Sequence, residues 1–166
     1  VKSCKALAAV QSVFLGQRHV ATFIDRLAFG DYNKRISDTK TSFDWLCTDE
    51  AVVNAYLEDE LCGFTFTVNG FTTLFTLLDR LNQEENLKAM PLDLPVHFIA
   101  GDKDPVGNYG EGVKKAYDDF AKVGMRRISL KLYAGGRHEI LNEKNKLQVY
   151  EDLYPWIMER VKEYQL

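Results

Sequence analysis

The stretch Pro95–Gly107, "PVHFIAGDKDPVG", decides the fold. Its first half is short, almost wholly apolar and bounded by Pro95 and Gly101, which predicts a strand buried on both faces of a parallel sheet. Its second half is a Gly-Asp-Lys-Asp-Pro turn. Beyond that turn Val113, Ala116, Tyr117 and Phe120 fall at i, i+3, i+4 and i+7, a helix pattern with Gly124 placed to stop it. The run "RISLKLY", Arg127–Tyr133, then sets Ile128, Leu130 and Leu132 on one face of a second strand. Strand, helix, strand in this order predicts an α/β arrangement with a right-handed parallel crossover. A last helix takes Leu147, Tyr150, Tyr154, Ile157 and Val161, and Pro155 should kink or restart it.

Upstream, residues 1–90 show only helical patterns. Leu7, Val10 and Phe14, then Val20, Phe23, Ile24 and Leu27, recur at helix spacing. Thr48, with Asp49 and Glu50 behind it, marks a helix start before Val52, Val53, Tyr56 and Leu57, and Gly63 is the expected stop. The segment from Gly63 opens as a loop and enters a helix carrying Leu74, Leu77, Leu78 and Leu81. The chain therefore divides into a helical part, 1–90, and a strand-helix-strand-helix part, 91–166.

At 166 residues and 46% apolar content the chain can bury one real core. A net charge of -3, with basic and acidic residues interspersed, leaves no electrostatic footprint for nucleic acid. The cysteines, Cys4, Cys47 and Cys62, are odd in number and lack zinc-site spacing, so buried free thiols are expected. No run of about 18 apolar residues predicts a transmembrane segment. The first residues also lack the apolar core and cleavage site of a signal peptide, which makes a cytoplasmic location the expectation.

The two turns carry the chemistry. In open parallel sheets, reactive groups gather beyond the carboxyl ends of the strands. Asp102 and Asp104 follow one such end. His138, in "LYAGGRHEILNE", Leu132–Glu143, follows the next. A histidine acting as a general base needs a carboxylate to fix its tautomer and stabilise the imidazolium, and Asp104 with His138 meets that need. Taken singly, each has a plainer reading. Either aspartate can hold its turn by local hydrogen bonds, and a histidine after Gly135 and Gly136 can cap the next helix or face solvent. The two glycines suit a tight strand exit with no further role, and His19 and His97 read as structural.

With those residues in view, the sequence resembles the α/β-hydrolases of the lysophospholipase and monoacylglycerol lipase-like group, which includes serine aminopeptidases. "IAGDKDPVGNYGEGV", Ile99–Val113, looks like that group's acid turn. "LYAGGRHEILNEKNKLQVYEDLYPWI", Leu132–Ile157, looks like its histidine turn and final helix, and "FDWLCTDEAVVNAYLEDELCGFTFTVNGF", Phe43–Phe71, like its link between cap and core. The resemblance implies that Asp104 is the catalytic acid and His138 the base, that Asp102 is a turn former, and that no metal or organic cofactor is used. It implies an acyl transfer in which a serine attacks an ester carbonyl, with a small-molecule or lipid ester as substrate. Phe64, Phe66, Phe71 and Phe75 are candidates to line an acyl-chain pocket, or else belong to the core of the cap.

The family's nucleophile sits in a Gly-x-Ser-x-Gly elbow ahead of the acid and histidine. None of Ser3, Ser12, Ser37, Ser42 and Ser129 is flanked by glycines at that spacing. The expectation is therefore the cap and C-terminal portion of a longer serine hydrolase, whose missing N-terminal part carries the serine, with this chain inactive alone. A sheet of two strands leaves an edge open, which predicts a homodimer or strand exchange for the isolated chain. The alternatives are a hydrolase of small esters or peptides, and a binding or dimerisation module built on the same scaffold.

Overall fold

The computed structural model describes residues 2–81 and 83–164. Its first half is a cluster of helices, α1 (Lys2–Leu15), α2 (Thr22–Phe29), α3 (Glu50–Glu58), α4 (Val68–Leu81) and the short α5 (Glu84–Lys88). Helix α1 packs against α4 because each carries an apolar stripe at helical spacing, Cys4, Leu7 and Ala8 on one and Val68, Phe71 and Phe75 on the other. Ala21 and Ile24 close this cluster, and Phe71 is fully buried in it. The Lys5–Asp79 ion pair, 2.9 Å, lies alongside.

Helix α4 is started by Thr67, whose hydroxyl accepts the Gly70 N–H at 3.2 Å. The free N–H groups of Val68 and Asn69 donate to the carbonyls of His19 and Gln17. This contact includes an antiparallel bridge between Val20 and Thr67, a pairing the helical patterns of residues 1–90 do not show. A pair this short has no alternation to betray it. Helix α3 is capped by Asp49, which accepts from the Ala51 N–H, while the Thr48 side chain is engaged elsewhere. The helix ends at Glu58, earlier than the expected stop at Gly63. The chain turns on Asp59 first, and Gly63, at φ +68, ends that turn with its N–H on the Tyr56 hydroxyl.

The second half is β1 (Val96–Gly101), α6 (Glu111–Lys122), β2 (Ile128–Tyr133) and α7 (Lys146–Tyr164). The strands pair in parallel from Val96 opposite Ile128 to Gly101 opposite Tyr133. Alternation sorts their side chains between the two helices. Phe98 meets Phe120 and Tyr117 of α6, with ring centroids 5.0 and 6.2 Å apart. On the other face His97 stacks on Trp156 of α7, and Ile99 joins Tyr133, Ile140, Val149 and Leu153.

Strand β1 is less buried than its composition predicts. Val96 to Ile99 are half-buried and only Ala100 and Gly101 are closed off. The reason is the width of the sheet, because β1 pairs with β2 alone among the described residues and its other edge is open. Of the two outcomes expected at Pro155, the restart does not occur, since α7 runs through the proline as one element. Val149 and Leu153 before the proline, and Trp156 after it, hold both halves against the sheet.

Phe71 provides a test of the helical core. Phe71→Ala should cost about 3–5 kcal/mol in chemical denaturation of the chain, as for large-to-small changes at closed sites. A loss below about 1 kcal/mol would mean that Phe71 borders an open, collapsible pocket rather than a packed core.

Candidate active site

The acid turn and the histidine turn meet at Gly101. A Cβ there would lie 2.0 Å from the Gly136 carbonyl oxygen, so only glycine lets the two backbones approach this closely. Three hydrogen bonds stitch the turns together. The Asp102 N–H donates to the Tyr133 carbonyl at 3.0 Å, the Lys103 N–H to the Gly136 carbonyl at 2.9 Å, and the Gly135 N–H to Asp102 Oδ1 at 2.8 Å. Asp102 therefore does more than form its own turn, since it reaches across to the next one. Gly135 holds φ +76, the left-handed conformation this exit needs.

Asp104 is buried, with 6% of its surface exposed. Its Oδ1 accepts the Val106 N–H at 2.8 Å, and its Oδ2 lies 3.1 Å from His138 Nδ1. The carboxylate, an acceptor only, assigns the proton of neutral His138 to Nδ1 and leaves the lone pair on Nε2. Nε2 makes no hydrogen bond within the described residues, and the His138 side chain is 39% exposed. The Asp104 hydrogen bond raises the His138 pKa above the ordinary histidine value, against the opposing effect of burial. Nearby, burial and then the Asp104 charge push up the Tyr32 hydroxyl.

The histidine turn is also fastened to the segment before α3. The His138 and Glu139 N–H groups donate to the carbonyls of Trp45 and Leu46 at 3.4 and 2.8 Å. Arg137 Nη1 donates to the carbonyls of Asp44 and Cys47 at 2.6 and 3.0 Å. Trp45 lies against the His138 ring, centroids 5.3 Å apart. It is held in turn by Tyr32 at 5.0 Å and by Asn33, whose Oδ1 accepts its N–H at 2.9 Å. Trp45 and Arg137 belong to this arrangement, as does Glu143, whose carboxylate accepts the Arg137 and Thr48 N–H groups, and sequence reasoning gave the three no role. All three stand in the quoted motif stretches, yet nothing in the pattern distinguishes them from ordinary core and surface residues.

Beside Trp45 lies a cleft of about 590 Å3 bordered by Phe29, Phe43, Tyr56, Phe64 and Phe66, with Asp25 and Arg26 at its rim. Phe64 and Phe66 pack edge to face, 5.5 Å apart. Phe71 and Phe75 stack 5.6 Å apart behind them in the α1–α4 core and do not border the cleft. His97 is structural in its surroundings, with Nδ1 2.7 Å from the Ser129 hydroxyl. The cysteines are free; Cys47 is buried, which pushes its thiol up to about 11, and Cys4 and Cys62 are partly exposed. Among the described residues no cluster of His, Cys, Asp and Glu could hold a metal ion, and no helix is long and apolar enough to cross a membrane.

The chain is similar to known proteins in sequence and in fold. A family model described as serine aminopeptidase, S33, matches residues 2–145. A thermostable carboxyl esterase from Bacillus coagulans, solved in complex with glycerol, is 28% identical with a TM-score of 0.82, covering 94% of this chain and 52% of that one. A lipase in an open form, 24% identical, has a TM-score of 0.81 and covers 94% of this chain and 50% of that one. A soluble variant of a monoglyceride lipase from Saccharomyces cerevisiae, solved with a substrate analog, is 19% identical with a TM-score of 0.60, covering 95% and 47%. The chain spans about half the length of these solved structures. None of the curated proteins matches it.

Proposed function

The chain belongs to the serine aminopeptidase S33 family and carries part of the α/β-hydrolase fold, and from that premise we propose that it supplies the cap and the acid-histidine half of a serine hydrolase acting on carboxylic esters. The observation that carries this reading is the Asp104–His138 pair, joined at 3.1 Å beyond the ends of two adjacent parallel strands. In the complete protein a serine upstream of this chain attacks the ester carbonyl, and His138 Nε2 takes its proton. The imidazolium, held by Asp104, then protonates the leaving alkoxide. A water molecule, deprotonated by the same nitrogen, releases the carboxylic acid and restores the serine. Residues 1–90 are the cap in this reading, 91–166 the core segment, and the open edge of β1 is where the upstream strands pair. In the isolated chain the same edge would take a second copy.

The substrate is proposed to be a lipid-type ester, of the lysophospholipid or monoacylglycerol class. The aromatic cleft beside Trp45 supports this, since its volume and lining suit an acyl chain. The test is hydrolysis by the full-length gene product of p-nitrophenyl butyrate and dodecanoate, with an aminoacyl amide for the peptide alternative. Faster turnover of the dodecanoate is expected, and amide cleavage without ester cleavage would overturn the reading. Phe64→Ala should raise KM for the dodecanoate about 10-fold, the worth of one buried aromatic contact. KM for the butyrate should stay within about 2-fold. An equal effect on both esters would remove Phe64 from the acyl site.

A further inference from the structure

Among the described residues two charged side chains are buried, Asp104 at 6% exposure and Glu143 at 2%. The first faces His138. The second has no place in the acyl-transfer chemistry, yet it is more deeply closed in and more fully bonded. Its Oε1 accepts the N–H groups of Arg137 at 2.9 Å and of Thr48 at 3.1 Å. Its Oε2 accepts the Thr48 hydroxyl and, at 3.3 Å, the Lys144 N–H. These donors come from both sides of a seam, since Thr48 ends the segment before α3 and Arg137 precedes His138 in its turn. A carboxylate with this many donors, none of them a charged side chain, is placed to fix two backbones together.

The seam it closes is the one that carries His138. Between the Glu143 contacts run the Glu139 N–H to Leu46 carbonyl bond and the Arg137 guanidinium on the Asp44 and Cys47 carbonyls. Trp45, against the imidazole, belongs to the same segment. Strand β2 ends at Tyr133, so beyond it the histidine turn is held by these contacts on one side and by the Gly135 and Gly136 bonds to the acid turn on the other.

We infer that Glu143 is a positioning residue for His138, its buried carboxylate locking the histidine turn to the Trp45–Thr48 segment and so holding the imidazole opposite Asp104. This rests on the reading of His138 as the base, and the test separates the two. The ring protons of His138 are titrated by NMR in the full-length protein, in the wild type and in Glu143→Ala, Glu143→Gln and Asp104→Asn. Asp104 and Glu139 are the charged groups that bear on His138, so Glu139→Gln controls for loss of a charge alone.

The expected result is a fall in the His138 midpoint in Glu143→Ala most of the way to that of Asp104→Asn. Glu143→Gln should fall less, because the amide keeps one acceptor oxygen, and Glu139→Gln should move least. An unchanged midpoint in Glu143→Gln, or in a folded Glu143→Ala, would overturn the inference. So would a shift in Glu139→Gln as large as that in the Glu143 variants. In the full-length protein the same variants should lower kcat with little change in KM. If the midpoint moves as expected while the wild-type full-length protein hydrolyses no ester, the positioning stands and the hydrolase reading falls.

Discussion

His138→Ala in the full-length protein is expected to lower kcat for ester hydrolysis on the order of 10⁶-fold, the scale seen when the base of a serine hydrolase triad is removed. His138 Nε2, the free end of the Asp104-bound imidazole, is the proposed acceptor of the serine proton. The fold should survive the change. The His138 side chain is 39% exposed, with Trp45 lying against its ring. Steady-state rates with a thermal melt check both halves. A variant that keeps its melting temperature and its rate would remove His138 from the mechanism.

Asp104→Asn should cost on the order of 10⁴-fold in kcat with the geometry nearly intact. The amide oxygen can still accept the Val106 N–H in place of Oδ1. The amide nitrogen then faces His138 Nδ1 and donates to it, which moves the imidazole proton to Nε2 and leaves no lone pair for the serine. Asp102→Asn should be mild by comparison, since an amide oxygen can still accept the Gly135 N–H. The opposite ranking would move the acid to Asp102.

The pH dependence has a defined sign. The Asp104 hydrogen bond raises the His138 pKa, and a base must be neutral to act. Activity in the full-length protein should therefore rise with pH through a midpoint above the ordinary histidine value of about 6.5. In Asp104→Asn that midpoint should move down towards it. Stability runs the other way. The contribution of the charged His138–Asp104 pair is complete below about pH 6.5 and is lost as pH rises through the raised folded-state value.

Much of this was legible in the chain because it rests on local pattern. A short apolar run marked β1, alternation marked β2, helical spacing marked α6, and the glycines at 101, 135 and 136 marked two tight strand exits. Two turns at the ends of adjacent parallel strands place Asp104 and His138 on the same edge of the sheet, where they meet here at 3.1 Å. What escaped was contact between distant segments. Glu143 bonds to Thr48 and Arg137 to the Asp44 carbonyl over 95 and 93 positions, and neither pairing leaves a periodic trace. The four phenylalanines show the same limit. Phe64 and Phe66 precede α4 while Phe71 and Phe75 lie on it, yet all four stand among apolar and threonine neighbours in one run, so pattern alone could not say which rings face the cleft. The half-buried β1 escaped for another reason, since an apolar run reports what a strand can bury and not how many neighbours cover it.

The most direct test of the hydrolase reading is the intact mass of the full-length gene product after exposure to a fluorophosphonate, in the wild type and in His138→Ala. A single adduct on a serine upstream of residue 1, formed quickly in the wild type and far more slowly in His138→Ala, is the expected result. No adduct, or an adduct formed equally fast without His138, would contradict the account and leave the Asp104–His138 pair as part of a scaffold for binding or dimerisation.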